Sequence, residues 1–250
     1  MAVFGEEVDT GPASAAYDGR FDGARDLIMA QRHRREEPLR TGGRWPVSVM
    51  LQPDPTSRVS LLLQRLMMEA IGFAGAHHWR TGRPGTAHLT VRALERRRDD
   101  VVPDDPAVRR YASALQRAVV GCGQLSFAVE GLIVTPGTLM AVATPTDHRA
   151  DRLLERYGDE LGDDAWLEAS IGRRDIWYLN LLHFAGDIDD PVGFLDWADA
   201  HRRTPIGSLT VDECRLIRWD YESVDGRYDL FPVTLASSPL MPSRRVREGR

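Results

Sequence analysis

The sequence predicts an α+β fold in which two pseudo-symmetric lobes of antiparallel sheet, with flanking helices, surround a central cleft, preceded by an N-terminal helical extension. Mixed strands and helices joined by hairpin turns are typical of α+β rather than doubly wound proteins. The order strand, helix, strand pair occurs at about 86–145 and again at about 176–236. Repetition of element order at this distance indicates two similar lobes that face each other.

The N-terminal part predicts one helix before the sheet begins. Residues 1–16 are rich in Gly, Ala, Ser and acids, which is typical of a loose tail. Apolar residues at helical spacing predict a helix over 18–35, and Pro38 ends it. The predicted divisions are a tail and helix at 1–44, a two-lobed domain at 45–236 and a flexible basic tail at 237–250.

The remaining elements follow from alternating or helically spaced apolar residues. Pro106 and Pro191 stand at helix starts, where a missing N–H costs nothing. Asp147, and either Asp189 or Asp190, stand at capping positions. The predicted strands are 45–52, 86–94, 125–133, 138–145, 176–184, 208–222 and 228–236, and the predicted helices are 57–72, 106–121, 148–161 and 191–203.

All 32 basic residues of this 250-residue chain are arginine. The absence of lysine excludes Schiff-base catalysis, a Walker-type phosphate loop and a protein kinase. The net charge is −5, which is not typical of a duplex-DNA binder. GC-rich codons are the simplest origin of the arginine excess, yet each arginine remains a planar cation suited to carboxylate or phosphate.

The chain has two cysteines, which supply neither a disulfide framework nor a metal-ligand spacing. No apolar run approaches the length of a membrane span, and the N-terminus does not resemble a secretion signal. We therefore expect a cytoplasmic protein with no metal, no cofactor and no membrane partner. Its oligomeric state is left open.

The stretch from Ala87 to Arg92 carries the most chemical information. Side chains alternate along a strand, so His88, Thr90 and Arg92 are predicted to share one polar face. An imidazole can move a proton near neutral pH, while a hydroxyl and a guanidinium can hold phosphate oxygens. The same pattern also fits a polar strand face in water.

In this context the chain resembles the 2H phosphoesterase superfamily, the group that includes 2′-5′ RNA ligase-like and cyclic phosphodiesterase proteins. The resemblance spans roughly residues 45–236, and His88-Leu89-Thr90 matches the first H-x-T motif. It implies two lobes that each contribute one H-x-T or H-x-S strand to a shared cleft. It also implies a metal-free reaction in which one His acts as base, the other as acid, and both Thr hold the phosphate.

The second motif departs from the family pattern. The strand around 176–184 places Tyr178 where the second His belongs and Asn180 where the second Thr belongs. A free tyrosine has a pKa of about 10, which makes it a poor acid or base at pH 7. His183 comes five residues after Tyr178, and on a regular strand it points away from Tyr178 and Asn180. A β-bulge would bring it back to the cleft.

Two further residues are candidates for the cleft rim. His77-His78-Trp79-Arg80 follows a glycine-rich break, with Arg83 nearby. Of these we select His78 and Arg80, together with Arg92 and His183, as candidate substrate-binding residues. A plain surface loop is the alternative for the first two.

Our hypothesis is a metal-independent phosphoesterase that acts on a cyclic phosphate or phosphodiester of a small nucleotide or RNA end. His88, Thr90, Tyr178 and Asn180 are the candidate catalytic residues. Because fold does not determine function, two alternatives stay open. One is a non-phosphoesterase enzyme of cyclisation, isomerisation or proton transfer, and the other is a non-catalytic binder of nucleotides or RNA ends.

Overall fold

The fold is built from nine strands and six helices in a computed structural model that describes residues 12–171 and 176–240. The strands are β1 (Val47–Leu51), β2 (Trp79–Arg80), β3 (Leu89–Glu95), β4 (Leu125–Val134), β5 (Thr138–Pro145), β6 (Trp177–His183), β7 (Pro205–Val211), β8 (Glu213–Val224) and β9 (Arg227–Pro239). The helices are α1 (Pro12–Met29), α2 (Arg58–Ala74), α3 (Pro106–Ala118), α4 (Arg149–Leu161), α5 (Trp166–Ile171) and α6 (Pro191–Ala200).

Local signals place most elements where the sequence predicts them. The side chain of Ser57 accepts the backbone N–H of Ser60 at the start of α2, and Asp105 accepts that of Ala107 at the start of α3. At α6 it is Asp190 that caps the helix. Such caps satisfy N–H groups that have no partner within the helix.

Several boundaries differ from the prediction. The first helix ends at Met29 rather than at 35, and the single strand expected at 208–222 is two strands separated by Asp212. The last strand runs to Pro239 and Leu240 is buried, so the chain is ordered beyond the expected tail start at 237. Strand β2 and helix α5 are not predicted at all. Residues 12–16 of the tail predicted at 1–16 belong to α1, while residues 1–11 and 241–250 of the two predicted tails lie outside the described residues.

The nine strands form one sheet in the order β2-β9-β8-β1-β3-β6-β5-β4-β7. Strand β2 also pairs with β6. The six strands β2, β9, β8, β1, β3 and β6 are therefore each paired to the next in a closed circuit. Trp79 of β2 is the junction, because it lies opposite Tyr228 of β9 and also opposite His183 of β6. This closed circuit of strands encloses a space at the centre of the molecule.

The two lobes do not correspond to consecutive halves of the chain. One lobe joins β9, β8, β1 and β3, and the other joins β6, β5, β4 and β7. Each lobe therefore combines strands from both of the stretches with repeated element order. Helices α3, α4 and α5 pack on the first lobe, while α1, α2 and α6 pack on the second.

Two apolar clusters stabilise this arrangement. The larger lies between the sheet and the helices and includes alternate β1 residues such as Val47 and Val49. The smaller lies inside the closed circuit and contains Trp45, Trp79 and Trp219. Burial of such large aromatic side chains supplies much of the stability of a core. No helix of the described ranges is long and apolar enough to cross a bilayer.

A connecting segment, residues 30–46, lies across both lobes and is called the strap here. Its Arg34 and Glu36 donate their backbone N–H groups to Pro136 O and Phe184 O in the second lobe, each at 2.6 Å. Its Gly42 donates to Arg97 O in the first lobe at 2.8 Å. The strap thus ties the lobes together just before β1 begins.

Candidate functional site

A cavity of about 100 Å³ opens inside the closed circuit, where β3 and β6 meet. Its walls combine residues at β3 and β6, called the cleft strands here, with residues of the strap and of β1 and β8. The lining residues are Arg44, Trp45, Pro46, Ser48, His88, Thr90, Tyr178, Asn180, His183 and Trp219. Five of the eight residues selected from the sequence are therefore brought together, namely His88, Thr90, Tyr178, Asn180 and His183.

The two cleft strands touch through one antiparallel pair, Leu89 opposite Leu179. Both leucines are fully buried on the helix side of the sheet. Their neighbours in sequence must therefore face the opposite side, because side chains alternate along a strand. This pair explains why His88 and Thr90 of one strand share a cavity with Tyr178 and Asn180 of the other.

His88 is held in one orientation at the start of β3. Its Nδ1 lies 2.8 Å from the carbonyl oxygen of Thr86, and its ring packs 4.8 Å from the ring of Trp219. Because a carbonyl only accepts, Nδ1 carries the proton in this contact, and the lone pair of the neutral ring lies on Nε2. A fixed tautomer of this kind suits a group that accepts a proton.

His183 reaches the cavity through a β-bulge in β6. Met140 of β5 lies opposite Asn180, but its neighbour Leu139 lies opposite Leu182, so Leu181 is an extra residue. The extra residue reverses the alternation. His183 therefore shares the cavity with Tyr178 and Asn180, which a regular strand would not allow.

The imidazole of His183 is buried among cationic and aromatic groups. Its Nδ1 lies 3.3 Å from Thr81 Oγ1, and its ring lies 4.5 Å from the ring of Trp45. Burial lowers the pKa of His183 well below 6.5, and the neighbouring Arg44, His88 and Arg34 lower it further. His183 is therefore neutral at pH 7.

Asn180 supplies a buried amide to the cavity wall. Its Oδ1 is buried and accepts no hydrogen bond from the described residues. Leaving such an atom without a partner costs free energy. A ligand group that donates to Oδ1 would satisfy it, and rotation of the amide would instead offer its NH₂ to an acceptor.

Arg92 does not share the face of His88 and Thr90, contrary to the prediction. Met50 of β1 lies opposite Thr90, while Val49 lies opposite Arg92, so Val91 forms a bulge that turns Arg92 to the helix side. There its guanidinium lies 3.1 Å from the Glu168 carboxylate. It also donates to Leu154 O at 3.2 Å. Arg92 is part of the core rather than of the cavity lining.

His78 is likewise a structural residue rather than a rim residue. It is fully buried, its Nε2 lies 2.9 Å from Ala74 O, and its Nδ1 accepts the N–H of Ala185 at 3.0 Å. Both ring nitrogens are thus engaged by the backbone. Burial is the main cause that lowers the pKa of His78 to about 4, so the ring is neutral at pH 7.

Arg80 also lies outside the cavity lining. Its Nε and NH2 bind the two oxygens of Asp229 at 2.7 and 2.5 Å, and Arg83 shares the same carboxylate at 2.8 Å. This bidentate pair joins β2 to β9. The geometry therefore assigns Arg80 to the closed circuit of strands and not to substrate.

Several lining residues escape prediction from the sequence. The strap contributes Arg44 and Trp45, β1 contributes Ser48, and β8 contributes Trp219. One signal was available, because Ser48 is a polar residue within the apolar strand Val47–Leu51. Trp45 has φ of 70°, a conformation that is rare outside glycine, and such outliers often occur at functional sites.

The charges and donors around the cavity favour a small anion. Arg44 is the charged residue among the ten that line it, and Thr90, Ser48 and Asn180 add neutral polar groups. Within the described residues, no group of three or more His, Cys, Asp or Glu side chains could hold a metal ion. The arrangement suits a phosphate-sized group beside an oriented imidazole.

No family model matches the chain, and no curated protein matches it significantly. Solved structures do resemble it. TT0787 of Thermus thermophilus has a TM-score of 0.52 and 15% identity, covering 78% of this chain and 98% of that one. E. coli LigT complexed with 3′-AMP has a TM-score of 0.48 and 10% identity, with 78% and 98% covered. The likeness to TT0787 shows that this chain shares its α+β fold over 78% of its length.

Proposed function

We propose that the chain is a metal-independent phosphoesterase that acts on a cyclic phosphate or phosphodiester of a small nucleotide or RNA end. One observation carries this proposal. The bulge at Leu181 puts His183 into the same cavity as His88, Thr90 and Arg44. Two imidazoles, a hydroxyl and a guanidinium around a phosphate-sized space are the groups that phosphoryl chemistry without a metal needs.

The phosphate would be bound by groups from both cleft strands and the strap. Arg44 supplies the positive charge, and Thr90 and Asn180 supply hydrogen bonds from opposite strands. Neutral His183 adds a donor: when the Thr81 hydroxyl donates to Nδ1, the ring proton sits on Nε2. Donors fixed before the reaction stabilise charge that develops on the phosphate oxygens.

His88 is the general base in this proposal. Its Nε2 accepts a proton from a water molecule as the water oxygen attacks phosphorus. The bond from phosphorus to the ribose oxygen then breaks, and that oxygen needs a proton. We assign this proton to the hydroxyl of Tyr178 on the facing strand, which is reprotonated from the His88 imidazolium through solvent. The product is a phosphate monoester beside a free hydroxyl.

A tyrosine rather than an imidazolium as the acid should make the reaction slow. A phenol hydroxyl is a weaker acid than an imidazolium and gives up its proton less readily. Proton transfer by a well-matched group typically contributes about 10²–10⁴ in rate. We therefore expect turnover that is measurable but weak.

The polar lining favours the phosphoesterase over a metabolic enzyme of cyclisation or isomerisation. Six of the ten lining residues carry hydrogen-bonding groups other than indole or phenol, namely Arg44, Ser48, His88, Thr90, Asn180 and His183. A site for an apolar metabolite would instead be lined mainly by apolar side chains.

The test is hydrolysis of 2′,3′-cyclic AMP by the wild-type chain, by His88→Ala and by Tyr178→Phe. We expect His88→Ala to lose at least about 10² in kcat/KM, with His148→Ala as the matched control, because His148 is exposed and does not line the cavity. Equal hydrolysis by wild type and His88→Ala would overturn the proposal. Nucleotide binding without turnover would replace it with a non-catalytic binder.

A further inference from the structure

Two arginines of the strap converge on one buried carboxylate beside the cavity. Arg34 Nε lies 3.0 Å from Glu36 Oε1, and Arg44 NH1 binds the same oxygen. The Glu36 side chain is 4% exposed, whereas those of Arg34 and Arg44 are 52% and 51% exposed. The carboxylate is thus buried below two guanidiniums that still face solvent.

Both guanidiniums act on the cavity despite their contact with Glu36. Arg34 and Arg44 bind the same carboxylate oxygen. Their field reaches the cavity, because Arg44 and Arg34 both lower the pKa of His183. The positive potential that the two arginines produce at the rim attracts anions.

The position of Arg34 is built into the fold. Its backbone N–H donates to Pro136 O at 2.6 Å. Its guanidinium lies against Gly137, where an added Cβ would come 2.7 Å from Nε. Glu36 is held in turn, since its carbonyl accepts the Trp79 indole N–H at 3.1 Å. A fixed guanidinium loses less conformational entropy on binding than a mobile one.

The size of the cavity determines where the rest of a ligand must lie. About 100 Å³ is far below the roughly 300–1,000 Å³ of sites that enclose drug-sized ligands. The cavity is small for a whole nucleotide, and we assign a phosphate group to it. The remainder of a nucleotide therefore lies outside the cavity, and the half-exposed arginines of the strap stand at its rim.

We propose that Arg34, beside Arg44, forms a subsite for a second phosphate group of the same ligand. The first phosphate would occupy the cavity and the second would bind at the strap. The preferred ligand class is thus a nucleotide with two separated phosphates. This inference rests on the proposed function only for the position of the first phosphate.

Binding measurements test the subsite without requiring turnover. Isothermal titration calorimetry would compare adenosine 2′-monophosphate with adenosine 2′,5′-bisphosphate, which differ by one phosphate. For the wild-type chain we expect about tenfold tighter binding of the bisphosphate, as one charge-assisted contact provides. Arg34→Gln should remove this advantage and leave binding of the monophosphate within about twofold. Gly137→Ala, which displaces the guanidinium, should do the same.

Arg35→Gln is the matched control. Arg35 is the next residue and is similarly exposed, but its side chain pairs with Asp187, so this variant should keep the full advantage. The subsite is refuted when Arg34→Gln binds the bisphosphate as tightly as wild type, or when wild type binds both ligands equally. A subsite that binds as expected in a chain that hydrolyses no cyclic phosphate would refute the proposed function alone.

Discussion

Arg92 and Glu168 form a buried ion pair directly behind the cleft strand β3. Arg92 NH1 lies 3.1 Å from Glu168 Oε2, and the other oxygen, Oε1, accepts the backbone N–H of Ala93 at 3.0 Å. The carboxylate thus pairs with the arginine and also satisfies a backbone donor just after the Val91 bulge. The bulge that separates the face of His88 from the face of Arg92 is held by this contact.

Removing this carboxylate should destabilise the fold. Glu168→Ala leaves a buried guanidinium without its partner, and we expect a loss of about 3–5 kcal/mol in the free energy of unfolding. Asp164→Ala is the control, because it removes the partner of Arg110 at the surface, where a pair contributes below about 1 kcal/mol. Urea denaturation measures both variants. Similar losses in the two would show that Glu168 has no special role.

Removing the cationic group of the cavity should weaken substrate binding. Arg44→Gln keeps a polar side chain at the rim but deletes its charge. We expect kcat/KM for 2′,3′-cyclic AMP to fall by about 10–100-fold, since a charge-assisted hydrogen bond contributes about 1.5–3 kcal/mol. The loss should shrink as salt is raised, because screening weakens exposed charges. Initial rates at two salt concentrations measure this, and Arg65→Gln, on an exposed pair of α2, should have no effect.

His183 should stay neutral where an ordinary histidine titrates. Burial, then Arg44, His88 and Arg34, lower its pKa well below 6.5. A bound phosphate adds negative charge and should raise this pKa, and Arg44→Gln should also raise it. NMR titration of the His183 Cε1–H signal, with and without inorganic phosphate, follows both shifts. A pKa near 6.5 that phosphate leaves unchanged would contradict the prediction.

The stability of the fold should decrease in acid, partly because of His78. Its folded pKa is lowered to about 4, whereas the unfolded value is about 6.5. Between these values the unfolded chain binds a proton that the folded chain does not. The contribution is therefore complete above pH 6.5 and is lost as pH falls toward 4, by up to about 1.4 kcal/mol per pH unit.

Urea unfolding at several pH values measures this loss. His78→Gln should flatten the dependence of unfolding free energy on pH in that window, whatever its effect on stability at pH 7. His148→Gln, at an exposed histidine before α4, should keep the wild-type slope. A slope that His78→Gln leaves unchanged would assign the acid sensitivity to other groups.

The elements were predictable from the sequence because they depend on neighbours in the chain. Pro106 and Asp190 mark helix starts in the sequence and in the structure. The face that Arg92 occupies was not predictable in this way. It depends on a bulge whose backbone donor is satisfied by Glu168, seventy-five residues beyond Ala93. Alternation along a single strand cannot reveal such a long-range contact.

In the candidate site, too, residues placed by their chain neighbours were predictable and residues placed by long-range contacts were not. His88 and Thr90 were predictable because they share a strand, and the cavity contains both. Trp45 and Arg44 were not, since they belong to a glycine-flanked connection whose path depends on contacts with both lobes. His183 was only partly predictable. The sequence shows that a regular strand would point His183 away from Tyr178 and Asn180. The bulge at Leu181 that reverses this depends on pairing with β5.

The crossing of the chain between lobes has a consequence for how the molecule folds. At Asp212 the chain leaves β7 in one lobe and enters β8 in the other, and the strands of the first lobe are complete only when β1 has paired with β8, far along the chain. Closing such long loops costs entropy before any contact repays it, so folding should be slow. The strands of the second lobe, β4 to β7, are contiguous, but helices α1 and α2, which pack on them, precede β4 in the chain. No contiguous fragment therefore contains that lobe with its helices and without strands of the first. The molecule should therefore unfold in a single cooperative transition, and the cavity should form only when both halves of the chain are in place.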